Sequence, residues 1–369
     1  MKVLHIGKFY PIRGGVEKVM YDLTKGLSER GIQCDMLCAA EDSEEIKLNE
    51  KGRILCAKAW MKLAATMISP EMVLSLRRIA KNYDIVHVHH PDPMACLALF
   101  LSGYKGKVVL HWHSDILKQK LLLEFYRPLQ RWLLRRADRI VGTTPVYVQQ
   151  SPELTDVQEK TDYIPIGVKE LKPEAEAVEK IRNQYAGKKI VYSLGRLVGY
   201  KGYTYLVDAA SYLGDDYVVL IGGEGPMGEE LQQRIERKGL TDKVKLLGYI
   251  EDKDSPAYFG ACDVFCLSSV WKTEAFAIVQ VEAMSCGKPV VATRIPDSGV
   301  PWVNRHEDSG LNVLIEDAKA LAEAIQALTE KEEVYRQYGI QARERYETYF
   351  THERMIDKCL SLYREIYNV

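Results

Sequence analysis

Two cations, Arg196 and Lys201, stand in the segment GRLVGYKG, directly after the apolar run KIVYSL. On a glycine-containing loop at a strand's carboxyl end, a guanidinium and an ammonium can neutralise a diphosphate, one by forked hydrogen bonds and one as a point charge. Two solvated surface cations would read the same from this segment alone. Downstream, Glu274 and Glu282 lie eight residues apart in TEAFAIVQVEAMSCGKP. With a helix starting near Phe276, that spacing spans about 12 Å along the axis. One carboxylate could then meet a sugar and the other a ribose, each accepting two hydrogen bonds from vicinal hydroxyls, with a diphosphate at the helix N-terminus. Glu-x7-Glu is unspecific by itself.

Other loops offer weaker chemistry. Gly14-Gly15 precedes Val16-Glu17-Lys18 at a helix start, where backbone N–H groups can approach an anion, and GGEGP at 222–226 can lay backbone against a planar group or a phosphate. No GxGxxG follows any strand, which counts against a dinucleotide-binding dehydrogenase. His87, His89 and His90 invite a metal reading but need a third ligand nearby, so satisfied histidines at a strand end are expected. Asp252-Lys253-Asp254 spells the DxD of metal-dependent transferases within a charged turn and is read as a chance match. The eight cysteines form no CxxC pair and sit in apolar runs, as buried free thiols of a reducing cytosol would.

Positioning these loops falls to elements that alternate from end to end. Strand-like runs at 2–6, 32–38, 84–89, 107–111 and 138–142 are followed by a second series at 189–194, 216–221, 243–247, 263–267 and 289–292. Helical spacing marks 16–30, 71–82, 121–136, 204–213, 228–238 and 317–328. Alternation without hairpin signals predicts an α/β protein with two Rossmann-like parallel sheets, covered by helices on both faces. The 369 residues suit two domains, 1–166 and 167–351, joined near YIPIGVKELKP, with 352–369 crossing back to the first. Ligands of open parallel sheets sit at the strands' carboxyl ends, so the cleft between two facing units is the expected site.

Composition bounds the partners. Hydrophobic residues make up 47% and charged residues 27%, as in a soluble globular protein, and no apolar stretch could cross a membrane. MKVLHIGKFYPIRGG reads as a first strand and not as a signal peptide. Residues 1–170 carry 25 Lys and Arg against 20 Asp and Glu, an asymmetry too weak to suggest nucleic acid. The stretch 117–136 holds six Lys and Arg among many Leu, Phe, Tyr and Trp. It fits either a helix lying on an anionic leaflet, with Trp60, Lys58, Lys62, Arg77 and Arg78 adding to it, or a core helix with a solvated basic face.

In order along the chain, HIGKFYPIRGGVEKV, HWHSD at 111–115, TTPVY at 143–147, GRLVGYKG, TEAFAIVQVEAMSCGKPVV and PWVNRHEDSGLNV at 301–313 resemble the motifs of GT-B-fold glycosyltransferases of family 4. That group includes bacterial retaining mannosyl-, rhamnosyl- and glucosyltransferases, and the resemblance runs end to end. It implies that Arg196 and Lys201 hold the donor diphosphate, Glu282 the ribose and Glu274 a donor-sugar hydroxyl. His113 would stand beside the transferred sugar, Gly14 and Gly15 near the phosphates, and Tyr249 and Ile250 near the base. Glu224, Phe276 and Ile278 complete the expected donor contacts. Ala277 departs from the family's usual glycine, where a methyl group is tolerated if φ is negative.

The activity so implied is metal-independent, retaining transfer of a hexose, mannose first, from a nucleotide-diphosphate sugar to a glycan or lipid-linked acceptor in surface-polysaccharide assembly. The enzyme would need no cofactor and would work in the cytoplasm, peripherally at the inner face of the membrane. A UDP-sugar-dependent glucosyl-, galactosyl- or N-acetylhexosaminyltransferase, a nucleotide-sugar epimerase of the same fold and a non-catalytic nucleotide-sugar binder are the alternatives.

Overall fold

The structure, a computed structural model, describes residues 1–12, 14–63, 66–117 and 120–367, except the side chains of Lys120 and Leu121. It divides into two compact units, one of Met1–Ile166 with the last helix His352–Tyr367, the other of Gly167–Thr351.

The first unit carries β1 (Lys2–Phe9), β2 (Gln33–Ala40), β3 (Glu44–Lys47), β4 (Arg53–Lys58), β5 (Met61–Leu63), β6 (Thr66–Ile68), β7 (Ile85–His90), β8 (Lys107–Trp112), β9 (Arg139–Gly142) and β10 (Thr161–Tyr163). Eight of them form one sheet in the order β10-β9-β8-β7-β1-β2-β4-β3. β7 is buried along its whole length, as strands covered on both faces must be. The second unit contains β11 (Lys189–Leu194), β12 (Tyr217–Gly222), β13 (Val244–Gly248), β14 (Val264–Leu267), β15 (Val290–Thr293) and β16 (Gly310–Val313). They form a parallel sheet ordered β13-β12-β11-β14-β15-β16. Its core joins Val191, Val219, Ile221 and Val264 to Leu206, Leu231, Ile325 and Leu328 of the flanking helices.

The expected absence of hairpins is corrected. β3 pairs antiparallel with β4, and β5 with β6. β3 reads EEIK and is mostly exposed, so its charges hide the strand in the sequence while protecting the sheet edge from further pairing. The helix Pro93–Ser102 also escapes periodicity because its sequence, PMACLALFLS, is apolar on nearly every side. Its start is marked instead by Asp92, whose carboxylate accepts from the Ala95 N–H at 3.0 Å, and by Pro93 in the first turn. All eight cysteines are free, and seven are buried.

The last helix belongs to the first unit through close packing. It lies on the helix Gly15–Glu29 and ties to it by an ion pair of Arg30 with Asp357. Gly26 makes that approach possible, since a Cβ there would come 2.6 Å from Ile356 Cδ1 and 3.0 Å from His352 Cε1. Gly26→Val should therefore overpack the interface and cost about 1–3 kcal/mol. A thermal unfolding curve unchanged by the substitution would show that the two helices are not clamped there.

Candidate functional site

Because every strand of the second sheet runs the same way, the loops following β11, β12, β13 and β14 emerge along one edge. They carry Arg196 and Lys201, then Glu224, then Tyr249 and Ile250, then Glu274. The loops are tied to each other. Leu197 N–H donates to Glu224 O at 2.9 Å, Gly223 N–H to Gly248 O at 2.7 Å and Val270 N–H to Tyr200 O at 2.8 Å. The glycines serve that contact. A Cβ on Gly223 would collide with Gly195 O, and one on Gly202, at φ +64°, with Ser268 O. Glycine density in GGEGP thus has a loop-packing cause before any ligand arrives.

At the centre, Lys201 Nζ lies 2.5 Å from Glu274 Oε2, and the two side chains are only 11% and 10% exposed. Burial alone disfavours the ammonium. Glu274, then the Tyr203 and Tyr200 rings, outweigh it and raise the lysine above its ordinary range. Ser269 Oγ also donates to Glu274 Oε2, at 3.0 Å, and Ser298 Oγ donates to the Glu274 carbonyl at 2.5 Å. Neither serine has a sequence signature. Arg196, by contrast, is exposed and has no ion-pair partner among the described residues.

The helix after β14 is Ile278–Ser285, two residues later than expected. Glu274 consequently lies in the preceding loop, and Glu282 in the helix and half-buried. Ala277 caps the helix at φ +59°, not the negative φ that would spare its methyl group. An alanine in the left-handed region costs about 1–2 kcal/mol, so the departure from glycine is tolerated under strain. The Phe276 ring is buried edge-on against Phe350, 5.9 Å between centroids, which leaves only its backbone for a ligand. Ile278 is half-buried at the first helical position. Tyr249 is exposed, while Ile250 packs over Gly222. The turn at Asp252-Lys253-Asp254 is wholly exposed, with Lys253 paired to Glu251 at 2.8 Å.

In the first unit, Gly14 is the N-cap of Gly15–Glu29 in extended backbone, and both glycines are exposed. A Cβ on Gly14 would lie 2.5 Å from Glu17 Oε2, so a carboxylate already leans over this helix N-terminus. His113 follows β8 and is buried, its ring stacked on His111 with centroids 4.1 Å apart. HWHSD is braced by Asp115, which accepts from Trp112 Nε1 at 2.9 Å and Ser151 Oγ at 2.6 Å. Thr144 of TTPVY caps the helix Pro145–Gln150 through its hydroxyl.

The histidines are not satisfied in the way expected. Both ring nitrogens of His90 and His111, Nε2 of His87 and Nδ1 of His113 have no hydrogen-bond partner among the described residues. Burial drives His5 and His111 to about 3 and His87, His89, His90 and His113 well below the ordinary imidazole value, so all are neutral. Two triads, His5-His87-His89 and His89-His111-His113, bring ring nitrogens within 4.8 Å of one another. Yet the pairs His5–His89 and His89–His113 face each other at 2.8 and 2.9 Å. Nitrogens on a tetrahedral zinc would stand about 3.3 Å apart for bonds of 2.0–2.1 Å, so this spacing suits a shared proton better than a shared ion.

Residues 174–345 match the family described as glycosyl transferases group 1, and residues 13–170 match glycosyltransferase family 4. The chain is 32% identical over 368 residues to the O-antigen chain mannosyltransferase C of Escherichia coli, covering 98% of both. It is also 32% identical over 357 residues to the D-rhamnosyltransferase WbpZ of Pseudomonas aeruginosa, covering 95% of this chain and 92% of that one. Among solved structures, Anabaena HepE in complex with UDP superposes with a TM-score of 0.79 at 22% identity, covering 99% and 100%. The sucrose-phosphate synthase of Thermosynechococcus elongatus gives 0.82 at 22%, covering 100% of each. These likenesses bear out the α/β, GT-B expectation.

The buried pair at Lys201 changes what its removal should do. Taking away one partner strands a charge, at a cost of about 3–5 kcal/mol. Lys201→Ala should lower the Tm of the second unit, while Lys201→Met combined with Glu274→Gln should recover most of it. Additive losses in the double variant, measured by calorimetry, would mean that the pair is not coupled.

Proposed function

From the premise that this chain belongs to the family 4 glycosyltransferases, we propose that it transfers a hexose, with retention and without a metal, from a nucleotide-diphosphate sugar in bacterial surface-polysaccharide assembly. The observation that carries this reading is the buried Lys201–Glu274 pair at the carboxyl edge of an all-parallel sheet, on a loop that also carries the exposed Arg196, which has no ion-pair partner among the described residues. The similarity to a mannosyl- and a rhamnosyltransferase favours GDP-mannose as the donor and a glycan or lipid-linked acceptor.

In the reaction, the bond from the sugar's anomeric carbon to the phosphate oxygen breaks and a bond to the acceptor oxygen forms. The acceptor's proton passes to the departing phosphate oxygen on the same face, which preserves the configuration. Charge grows on the diphosphate as the sugar becomes oxocarbenium-like. Arg196 and Lys201 stabilise that charge, together with the N-terminus of the helix Ile278–Ser285 of the same unit. Glu274, already oriented by Ser269, accepts from a sugar hydroxyl, Glu282 from the ribose, and the Tyr249–Ile250 backbone meets the base. His113 stands beside the transferred sugar.

The same reading places the enzyme at the cytoplasmic membrane face. Among the described residues, no helix is long and apolar enough to cross a membrane. The helix Lys120–Arg136 buries Leu123, Tyr126, Leu133 and Leu134 but leaves Leu122 and Phe125 outside, the latter 86% exposed, and Arg131 and Arg135 of the same helix are exposed as well. It is therefore both a core helix and a basic apolar surface. Trp60, 77% exposed, and Met61 add a second apolar group in this unit.

Thermal unfolding in EDTA with GDP, UDP, GDP-mannose and UDP-glucose tests the donor site. GDP at a hundred times its Kd should add about 2.7 kcal/mol, a rise of roughly 5–10 °C for a unit of this size. A shift with UDP alone would reassign the base, and no shift with any nucleotide would overturn the metal-free site. Arg196→Ala should leave the unliganded Tm unchanged and lower transfer by roughly 10²–10³-fold. Separately, Phe125→Glu with Leu122→Glu should abolish cosedimentation with anionic vesicles at low salt. Failure of the unsubstituted protein to bind them would rule out the membrane face.

A further inference from the structure

β14 is followed directly by Ser268 and Ser269, both buried, and each serine holds one member of the buried ion pair. Ser268 Oγ donates to the Lys201 carbonyl at 3.0 Å, and Ser269 Oγ donates to Glu274 Oε2 at 3.0 Å. The main chain of Glu274 is pinned as well. Its N–H donates to Trp271 O at 2.9 Å, its carbonyl accepts from Ser298 Oγ at 2.5 Å, and the next carbonyl, of Ala275, accepts from the Gly299 N–H at 3.0 Å. Ser269 is itself fixed, since its carbonyl accepts from Thr293 Oγ1. What freedom Glu274 retains lies in its side-chain torsions.

Its two carboxylate oxygens are not equivalent. Each offers about two lone-pair sites. Oε2 receives the Lys201 ammonium at 2.5 Å and the Ser269 hydroxyl at 3.0 Å, which fills both. Oε1 has no hydrogen-bond partner among the described residues, yet it is not one of the polar atoms shut off from solvent without one. One oxygen is committed inside the protein and the other is open. Lys201 keeps two further N–H groups, so holding Oε2 does not remove it from a diphosphate.

We propose that Ser269 is a positioning residue and that Glu274 grips the donor sugar by Oε1 alone, through a single hydroxyl, a role that rests on the reading that Glu274 meets that sugar. A carboxylate with both oxygens free would span two vicinal hydroxyls, the arrangement expected from the sequence. Saturation of Oε2 excludes it. A hydroxyl approaching Oε2 must displace either an ammonium, which strands a buried charge, or a serine hydroxyl, which then lacks its acceptor. At Oε1 nothing is displaced. The direction in which Oε1 faces is set by Ser269 more than by Lys201. An ammonium on a flexible stem attracts a carboxylate from any angle, whereas a hydroxyl one torsion away from a fixed backbone selects one plane. Glu274 therefore reads one position of the sugar, and changes at its other carbons pass unread by this residue.

Transfer rates with GDP-mannose and each of its monodeoxy analogues, for the unsubstituted protein and Glu274→Gln, count the hydroxyls. Lys201 and Ser269 claim the amide oxygen of that variant, so its outward atom changes from acceptor to donor. The loss should be roughly tenfold or more and should vanish with one deoxy donor only. Its disappearance with two neighbouring deoxy donors overturns the single-hydroxyl grip, and its persistence with all of them overturns the reading that Glu274 meets the sugar. Ser269→Ala should lower kcat/KM for GDP-mannose about tenfold, leave GDP binding unchanged and have no effect with the deoxy donor on which Glu274→Gln has none. Ser269→Thr, which keeps the hydroxyl, should restore most of the rate. An equal loss with that deoxy donor would make Ser269 merely structural and sink its role. A crystal structure of unliganded Ser269→Ala gives a readout without activity: the Glu274 carboxylate should turn from its present plane, and one that stays overturns the positioning. Absence of transfer from every one of these donors overturns the sugar contact as assigned, while the crystal structure still decides the role of Ser269.

Discussion

Parallel strands cannot be joined by a tight turn, because each must begin again at the end where its predecessor began. That constraint sends the chain back across the sheet through a helix after nearly every strand, and it leaves the loops following the strands together on one edge. In the second unit it is why Arg196, Glu224, Tyr249 and Glu274, spread over nearly eighty residues of sequence, come off neighbouring strands in the same direction. In the first unit it aligns His5, His87, His89, His111 and His113 in register, with His5 opposite His87 and His89 opposite His111.

The two edges solve the problem of buried polarity differently. Around Lys201 a full charge is held by an opposite charge, and Ser269 donates to the same Glu274 oxygen. Around His113 the charge is suppressed, and neutral rings hydrogen-bond to one another while several of their nitrogens have no partner among the described residues. In the proposed reaction an ammonium would suit the departing diphosphate, whose negative charge grows. A neutral imidazole suits a hydroxyl, whose charge does not change. Each kind of environment would be costly at the other's position, since an uncompensated buried ion is expensive and an extra cation near Lys201 would compete for Glu274.

Much of this was legible in the sequence. Ten strands announce themselves as short apolar, β-branched runs, and the resemblance to family 4 names the loops that matter. What was missed has a physical cause. β3 is hidden by its charges, β10, reading TDY, is a short polar strand at a sheet edge, and β16, reading GLNV, is too short at four residues to show a period. The helix Pro93–Ser102 has no polar face to give a period. The pairing of Lys201 with Glu274 joins two loops that are distant in sequence, and nothing local in either specifies the other. Ala277 shows the limit most clearly, because the sign of its φ depends on how the loop before the helix is pinned, by Ser298 and Gly299 among others.

Threading the second unit between the two pieces of the first has a consequence for biosynthesis. His5 and Tyr363 are 358 residues apart, a gap that a ribosome takes roughly 20–70 s to cross. For most of that time β1 and the helix Gly15–Glu29 are already outside the ribosome, but the helix that covers them does not yet exist. The unit made of continuous chain, Gly167–Thr351, can complete its own core while the earlier one still lacks Met355, Ile356, Cys359 and Tyr363. The order of maturation is thus the reverse of the order of translation, and the nascent first half carries an open apolar seam that chaperones would recognise until the final turns emerge.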